Sequence, residues 1–186
     1  MAASDLTFIT GNPVKAETLS RLLGHPVSHR RLDLVEIQSL DLREVVAAKA
    51  QEAYRAVQAP VLIEDSTLVF EAMGRLPGTL IKWFEHELGL EGLCRLADAY
   101  PSRAATGQVL YGLFDGHTLE TFYGETRGHI ADHPRGENGF GWDPIFIPDG
   151  YTRTRGEMTQ QEQQDSSMRK AALAKLQAFL AGARTA

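Results

Sequence analysis

The 186-residue chain contains 43% hydrophobic and 23% charged residues, as ordinary globular proteins do, and its length predicts one domain spanning residues 1–186. The 19 Lys and Arg residues against 24 Asp and Glu residues give a net charge of −5, so the bulk charge argues against a nucleic-acid partner. Because Cys94 is the only cysteine, residues 1–5 carry no secretory signal and no stretch is apolar enough for a membrane span, we expect a cytoplasmic protein.

A strand at residues 6–9, a glycine turn and a helix are predicted at the start of the chain. Asn12 suits the helix N-cap, Pro13 suits the first helical position, and Gly24 is a typical stop. The amides of such a helix start attract anions, and Lys15 in the first turn adds a positive charge. The pattern is equally typical of a helix with a surface lysine, so both interpretations stay open.

A second strand is predicted over residues 27–35, followed by a helix over residues 41–58. The apolar stripe of that helix consists of Leu42, Val45, Val46, Ala50 and Ala53. Lys49 lies near one edge of the stripe, where a solvated lysine is the commoner case.

Two adjacent carboxylates, Glu64 and Asp65, follow a short buried strand predicted at residues 61–63. Open α/β sheets usually place their chemistry at the carboxyl ends of strands. Neighbouring carboxylates repel each other unless a cation or a proton lies between them. The stretch is therefore either part of a cation-dependent site or a solvated acidic turn.

The middle of the chain combines helices with a long hairpin. A turn at residues 74–78 precedes two helices, over residues 81–88 and 90–100. Residues 104–114 and 118–128 predict an antiparallel hairpin that turns at Asp115 and Gly116. Strand–helix units beside a long hairpin indicate a mixed sheet.

A glycine-rich stretch at residues 136–144 contains Phe140, Gly141, Trp142 and Asp143. The aromatic rings offer flat faces for stacking on a base, and Asp143 can accept hydrogen bonds from ring N–H groups. The alternative is a turn whose aromatic residues belong to the core. Thr159 to Glu162 then has the form of a capping box, and the last helix begins at about Ser167.

Eight short stretches carry a family resemblance, in the same order as in the family: Thr10-Gly11-Asn12 with Lys15, Glu36-Ile37-Gln38, Glu64-Asp65-Ser66, Leu76-Pro77-Gly78, Ile81-Lys82-Trp83-Phe84, Phe140-Gly141-Trp142-Asp143-Pro144, Pro148-Asp149-Gly150-Tyr151 and Glu157-Met158. Together they resemble the inosine triphosphate pyrophosphatase family over nearly the whole chain. The resemblance implies an elongated α/β fold, in which a two-lobed mixed sheet with flanking helices has its active-site cleft between the lobes. It also implies a homodimer that hydrolyses ITP, dITP and XTP, with Mg²⁺, to the monophosphate and pyrophosphate.

The resemblance assigns roles to individual residues. The Mg²⁺ ligands would be Glu36, Glu64 and Asp65, and the catalytic residues would be Asp65, which orients or deprotonates the attacking water, and Lys15. The phosphate groups would contact Thr10, Gly11, Asn12, Lys15, Lys49 and Lys82, and Ser66 would contact the substrate. The base would contact Phe140, Gly141, Trp142, Asp143, Gln163, Met168 and Arg169.

The chain departs from the family pattern where the base would bind. Gln163-Gln164 replaces a Lys-Asn pair, and Met168 replaces the histidine of a Ser-His-Arg motif. Glutamine keeps hydrogen bonding without the cation, and methionine cannot donate to a 6-oxo group. Two alternatives to a deaminated-purine enzyme therefore stay open: a same-fold pyrophosphatase with another base preference, and a non-catalytic nucleotide-binding protein.

Overall fold

A computed structural model describes residues 6–24 and 27–182, apart from the side chain of Leu22. The strands in this range are β1 (Thr7–Ile9), β2 (His29–Arg30), β3 (Val61–Phe70), β4 (Pro77–Gly78), β5 (Ala104–Phe114), β6 (Leu119–Ile130) and β7 (Phe146–Pro148). The helices are α1 (Pro13–Leu23), α2 (Leu42–Val57), α3 (Ile81–Asp98), α4 (Gln160–Asp165) and α5 (Met168–Leu180). The strands form one mixed sheet in the order β2-β1-β3-β5-β6-β7, and β4 pairs with β3 beside this path. The predicted mixed α/β class is confirmed.

The chain forms two compact units. Unit 1 comprises the described residues of Met1–Asp65, Val109–Gly124 and Arg169–Ala186, and unit 2 comprises Ser66–Gln108 and Glu125–Met168. The predicted single domain over residues 1–186 stays a prediction, and both of its ends lie outside the described residues.

The core of unit 1 lies between α2 and the sheet. β1 pairs in parallel with β2 and with β3, so Phe8 is opposite both His29 and Leu62. The predicted apolar stripe of α2 is buried, and most of it packs on one cluster of sheet residues: Ile9, Val61, Ile63 and Leu110. The Asp41 side chain caps α2 by accepting from the Arg43 amide, and Gln58 ends the helix in the left-handed region at φ 54°. The predicted helix over residues 41–58 is therefore confirmed.

The first helix also begins and ends as predicted. Asn12 Oδ1 accepts from the Val14 amide at 3.0 Å, Pro13 is the first helical residue, and Gly24 ends the helix at φ 75°. The predicted strand over residues 27–35 is wrong in extent, because only His29–Arg30 form β2. Its neighbour β1 is three residues long, so it offers few backbone groups for pairing.

The prediction of a short strand that ends before Glu64 is also wrong. β3 continues to Phe70, so both carboxylates lie inside a ten-residue strand. Its parallel pairing with β1 reaches Ile63, and its antiparallel pairing with β4 covers Leu68 and Val69. The acidic residues therefore lie on the segment that separates these two pairings. Of the turn predicted at residues 74–78, Pro77–Gly78 form β4.

The hairpin and the two-part helix match their predictions. β5 and β6 are joined by a turn in which Asp115 Oδ1 accepts from the amides of His117 and Thr118, both at 2.8 Å. α3 is interrupted at Gly89, whose φ of 65° and ψ of 175° are non-helical. In unit 2, α3 packs through Ile81, Leu93 and other apolar residues on a core that includes Leu68 and Phe146. None of the helices within residues 6–24 and 27–182 combines the length and the apolar character that crossing a membrane requires.

Candidate active site

The Glu64 carboxylate lies at the centre of a buried cluster in unit 1. It accepts from Arg169 Nη2 at 2.7 Å and from the Tyr111 hydroxyl at 2.8 Å, and Lys15 Nζ lies 3.3 Å from its Oε1. The Glu64 side chain is 1% exposed. Lys15 reaches it because α1 follows β1, and β1 runs parallel to β3 up to the residue before Glu64.

Strong electrostatic coupling holds this cluster together. Burial by itself raises the pKa of Glu64, but the positive charges of Arg169 and Lys15, with the hydrogen bonds from Arg169 and Tyr111, lower it to about 2. Burial and the charge of Glu64 raise the pKa of Tyr111 well above its usual value. Glu64 is therefore a carboxylate at neutral pH, and Tyr111 is a neutral donor.

Asp65 takes part in a second cluster, because successive side chains of an extended strand point to opposite faces. Lys49 Nζ lies 3.1 Å from Asp65 Oδ2 and 2.8 Å from Glu36 Oε1. Burial lowers the pKa of Lys49, but the nearby charges of Asp65 and Glu36 outweigh burial and raise the pKa. One ammonium group thus bridges two of the three predicted metal ligands.

The predicted Mg²⁺ ligands are divided between these two clusters. Glu64 is bound to Arg169 and Lys15, whereas Glu36 and Asp65 meet at Lys49. Across residues 6–24 and 27–182, no group of three or more His, Cys, Asp or Glu side chains is arranged to hold a metal ion. The three-residue ligand set stays a prediction. Glu36 and Asp65, which both approach the Lys49 ammonium, nevertheless suit Mg²⁺, because this ion commonly takes one or two carboxylates together with water and substrate phosphates.

The predicted phosphate loop lies at the start of α1, in the same unit as Lys15 and Lys49. The Thr10 hydroxyl accepts from the Asn12 amide at 3.1 Å, and the Thr10 amide donates to the Arg30 carbonyl at 3.1 Å. Gly11 is exposed. The loop is therefore anchored at both ends, and its middle residue has no side chain to obstruct a ligand.

The aromatic loop, residues 136–144, lies in unit 2 and is organised by Asp143. Asp143 is 7% exposed; its Oδ2 accepts from the Phe140 amide at 3.0 Å, and its Oδ1 accepts from Arg155 Nε at 2.7 Å. Trp142 packs edge-on against Phe146, with ring centroids 5.3 Å apart, and belongs partly to the core of the unit. Part of the Trp142 ring therefore belongs to the core, which was the alternative to base stacking.

Met168 and Trp142 share the space beside Gly107. A Cβ atom on Gly107 would lie 2.8 Å from Trp142 Cη2 and 3.4 Å from Met168 Sδ. The side-chain amide of Gln163 already has a partner, because it donates to the Arg155 carbonyl at 2.7 Å. Unit 2 therefore collects most of the residues expected at the base.

The other expected contacts stay predictions. Arg169, expected at the base, donates to Glu64 in unit 1. Lys82 is exposed in the first turn of α3, and Ser66 is half-buried in β3. Gly141 has a φ of 59°, which favours glycine, and lies beside the carboxyl group of Glu85.

Three residues of these clusters were not predicted from the sequence. Tyr111 donates to Glu64, and Arg155 donates to Asp143. The third residue is Glu85, whose pKa is raised by burial and by the charge of Asp143. Tyr111 lies in the mostly apolar, continuously buried run Val109–Leu113 of β5, and that run would have indicated its burial. No local signal marks Arg155 or Glu85, because both meet their partners through tertiary contacts.

A family comparison gives the chain its place among known proteins. A sequence model described as the Ham1 family matches residues 6–179. The chain belongs to the Ham1 family. This is the family of inosine triphosphate pyrophosphatases that its motifs resemble, so the predicted family is confirmed. The predicted enzyme class is confirmed with it: the chain is a hydrolase of the nucleoside-triphosphate pyrophosphatase type.

Three solved structures share the fold. A HAM1 protein from Coxiella burnetii is 24% identical, with a TM-score of 0.82 over 96% of this chain and 99% of that chain, and at this identity it shows the fold alone. The Ham1 protein of Staphylococcus aureus is 25% identical, with a TM-score of 0.79 over 95% and 98% of the two chains. A nucleoside-triphosphatase / dITP/XTP pyrophosphatase from Mycobacterium abscessus is 28% identical, with a TM-score of 0.74 over 92% and 97%.

Proposed function

We propose that this Ham1-family protein hydrolyses the deaminated purine nucleotides ITP, dITP and XTP to the monophosphate and pyrophosphate, with Mg²⁺. The observation that carries the proposal is the pairing of Lys15, in the first turn of α1, with Glu64, and of Lys49 with the next strand residue, Asp65. Two lysines held in place by carboxylates can exchange part of that interaction for phosphate oxygens when a polyanion arrives. The Mycobacterium abscessus relative, described as a dITP/XTP pyrophosphatase, supports the same substrate class.

The polyphosphate binds to fixed positive charge. Lys15, Lys49 and Lys82 neutralise phosphate oxygens, and the loop of Thr10, Gly11 and Asn12 brings backbone amides to them. Arg169 holds Glu64, and Glu64 in turn holds Lys15, so the lysine is positioned before the substrate binds. Such preorganisation favours the charge distribution that develops as the bond to pyrophosphate breaks.

Asp65 is the proposed base for the attacking water. Glu36 and Asp65 are the side chains that would hold Mg²⁺, with Glu64 as the third predicted ligand; the ion would neutralise phosphate charge and polarise the phosphoryl group. Asp65 is 21% exposed in its side chain, so water can reach it. Its carboxylate can orient the water and accept its proton as the oxygen attacks the α-phosphorus.

The base stacks on the aromatic loop. Phe140 and Trp142 provide flat faces, Gly141 allows close approach, and Asp143 accepts from ring N–H groups. Arg169 is also proposed to contact the base, with Gln163 and Met168 completing that contact set. The protein acts in the cytoplasm as a homodimer; light scattering with size-exclusion chromatography tests the dimer.

Pyrophosphate release tests the proposal. Wild-type protein should release pyrophosphate, and no orthophosphate, from ITP or XTP with Mg²⁺. Asp65→Asn should lose at least about 100-fold in kcat, as expected for a general base. The control Asp33→Asn alters an exposed aspartate of the same unit and should leave kcat unchanged. Full turnover by Asp65→Asn would remove Asp65 from the mechanism, and no release from either nucleotide would reject the function.

A changed base preference is the second candidate. The thioether of Met168 lies beside Trp142 and Gly107, where it brings an apolar group to the residues expected at the base. Ranking kcat/KM over purine and pyrimidine triphosphates decides between the candidates. A clear preference for ITP and XTP rejects the second one, and a better substrate outside that pair supports it.

A further inference from the structure

Arg155 is a nearly buried cation in unit 2 that the proposed mechanism does not use. Its side chain is 11% exposed, and that of Asp143 is 9% exposed. Arg155 Nε donates to Asp143 Oδ1 at 2.7 Å. A hydrogen-bonded ion pair of this kind is strong and directional, because the planar guanidinium fixes the carboxylate in one orientation.

The turn that carries Arg155 is itself rigidly held. Glu157 accepts from the Thr154 amide at 2.8 Å and from Arg135 Nε at 3.1 Å, and the Thr154 hydroxyl donates to the Arg135 carbonyl at 2.6 Å. A Cβ atom on Gly156 would lie 2.5 Å from that same Arg135 carbonyl oxygen. The backbone around Arg155 therefore has little freedom to move.

Two further bonds orient the guanidinium group. Arg155 Nη1 donates to the Gln163 carbonyl at 3.1 Å and to the Ser166 hydroxyl at 3.0 Å. The Gln163 side chain donates in return to the Arg155 carbonyl, so the two residues are joined by two hydrogen bonds. Nε and Nη1 thus have separate partners, and Nε is directed at Asp143.

Asp143 connects Arg155 to the backbone of the aromatic loop. Its second carboxylate oxygen accepts from the Phe140 amide, and a Cβ atom on Gly139 would lie 2.1 Å from that oxygen. The loop backbone therefore wraps closely around one carboxylate, to which Arg155 also donates. Glu85 is a second acid beside this loop: burial, and then the charge of Asp143, raise the pKa of its carboxyl group.

We propose that Arg155 is a positioning residue for base binding: it fixes Asp143, and through Asp143 it presets the aromatic loop before a nucleotide arrives. This inference rests on the proposed function for its kinetic consequence and on the contacts above for its structural one. The alternative is an ion pair that adds stability only, without setting the geometry of the loop.

The experiment compares Arg155→Met with Arg155→Lys and the control Arg153→Met. Arg153 lies two residues away, is half-exposed and is paired with Glu162, so the control removes an ion pair from the same segment. Kinetics use ITP, Mg²⁺ and the otherwise wild-type protein. Fluorescence uses a Trp83→Phe background, in which Trp142 is the remaining tryptophan of the chain.

We expect Arg155→Met to raise KM about tenfold or more while kcat changes less than about twofold, because a charge-assisted contact orders the free loop. Trp142 emission should shift to longer wavelength and become more sensitive to acrylamide. Arg155→Lys should recover part of both effects, since it restores the charge without the planar fork. Arg153→Met should resemble the wild type in both measurements.

The outcomes separate the two proposals. If Arg155→Met matches Arg153→Met in KM and in emission, or lowers kcat alone, the inference is wrong. If Arg155→Met does not fold, Arg155→Lys decides on the same criteria. If the wild type cleaves no nucleotide, the proposed function fails, and emission and quenching still decide whether Arg155 orders the loop.

Discussion

Replacing Glu64 by glutamine tests the buried cluster most directly. The change keeps the size of the side chain and one acceptor oxygen but removes the charge that Arg169 and Lys15 share. A drop in the Glu64 pKa from 4.5 to about 2 on folding corresponds to about 3 kcal/mol of stabilisation at neutral pH. This agrees with the roughly 3–5 kcal/mol lost when one partner of a buried ion pair is removed. We therefore expect Glu64→Gln to lower the free energy of unfolding by about 3 kcal/mol at pH 7.

The pH dependence gives the same experiment a second readout. A carboxylate whose folded pKa is lowered stabilises the protein above its unfolded pKa, and this stabilisation is lost as the pH falls through the folded value. The Glu64 contribution should therefore be complete above about pH 4.5 and decline towards pH 2. The wild type should lose this increment on acidification, and Glu64→Gln should not, so their stabilities converge at low pH.

Urea unfolding followed by circular dichroism, at fixed ionic strength and several pH values, measures this difference. Other carboxylates whose pKa values are lowered, such as Glu157 and Glu162, are present in both proteins and cancel in the comparison. Glu120→Gln is the control, because Glu120 is an exposed residue of β6 in the same unit. Parallel pH profiles for wild type and Glu64→Gln, or a loss at pH 7 no larger than that of Glu120→Gln, would refute the assignment.

Two more substitutions address the second carboxylate cluster and the aromatic loop. Lys49→Met removes the ammonium group that Asp65 and Glu36 share, so KM for ITP should rise about tenfold. Unchanged pyrophosphate-release kinetics would contradict the role of Lys49. Gly107→Ala places a methyl group 2.8 Å from Trp142, so the ring must shift. We expect the free energy of unfolding, measured with heat or urea, to fall by about 1–3 kcal/mol and Trp142 emission to change. Wild-type stability would show that the ring adapts freely.

Local sequence signals predicted the elements that depend on local interactions. Asn12 and Asp41 cap their helices with their own side chains, and Gly24 ends the first helix, so a few neighbouring residues determine each boundary. The hairpin that turns at Asp115 was predictable for the same reason. The order of the family motifs indicated the overall fold, although it gave neither the strand lengths nor the strand pairing.

The strand lengths and the partners of the acidic residues depend on tertiary structure. β2 is short because β1 gives it few groups to pair with. β3 is long because the eleven-residue strand β5 is its neighbour in the sheet and β4 pairs with it at Leu68 and Val69. Once β3 continues through Glu64 and Asp65, alternation sends the two carboxylates to different lysines. Tyr111 lies 47 positions from Glu64, so no local spacing indicates their contact.

The close contact between Gly136 and Gly156 joins two segments that are well separated along the chain. A Cβ atom on Gly136 would lie 2.1 Å from the Gly156 carbonyl carbon, and the Asn138 amide donates to the Gly156 carbonyl at 2.9 Å. In hydrogen–deuterium exchange, the amides of Asn138 and Phe140 should therefore become labelled together with those of the opposite segment, in one cooperative opening. Backbone proximity would thus make one unit of local stability out of two loops that look independent in the sequence.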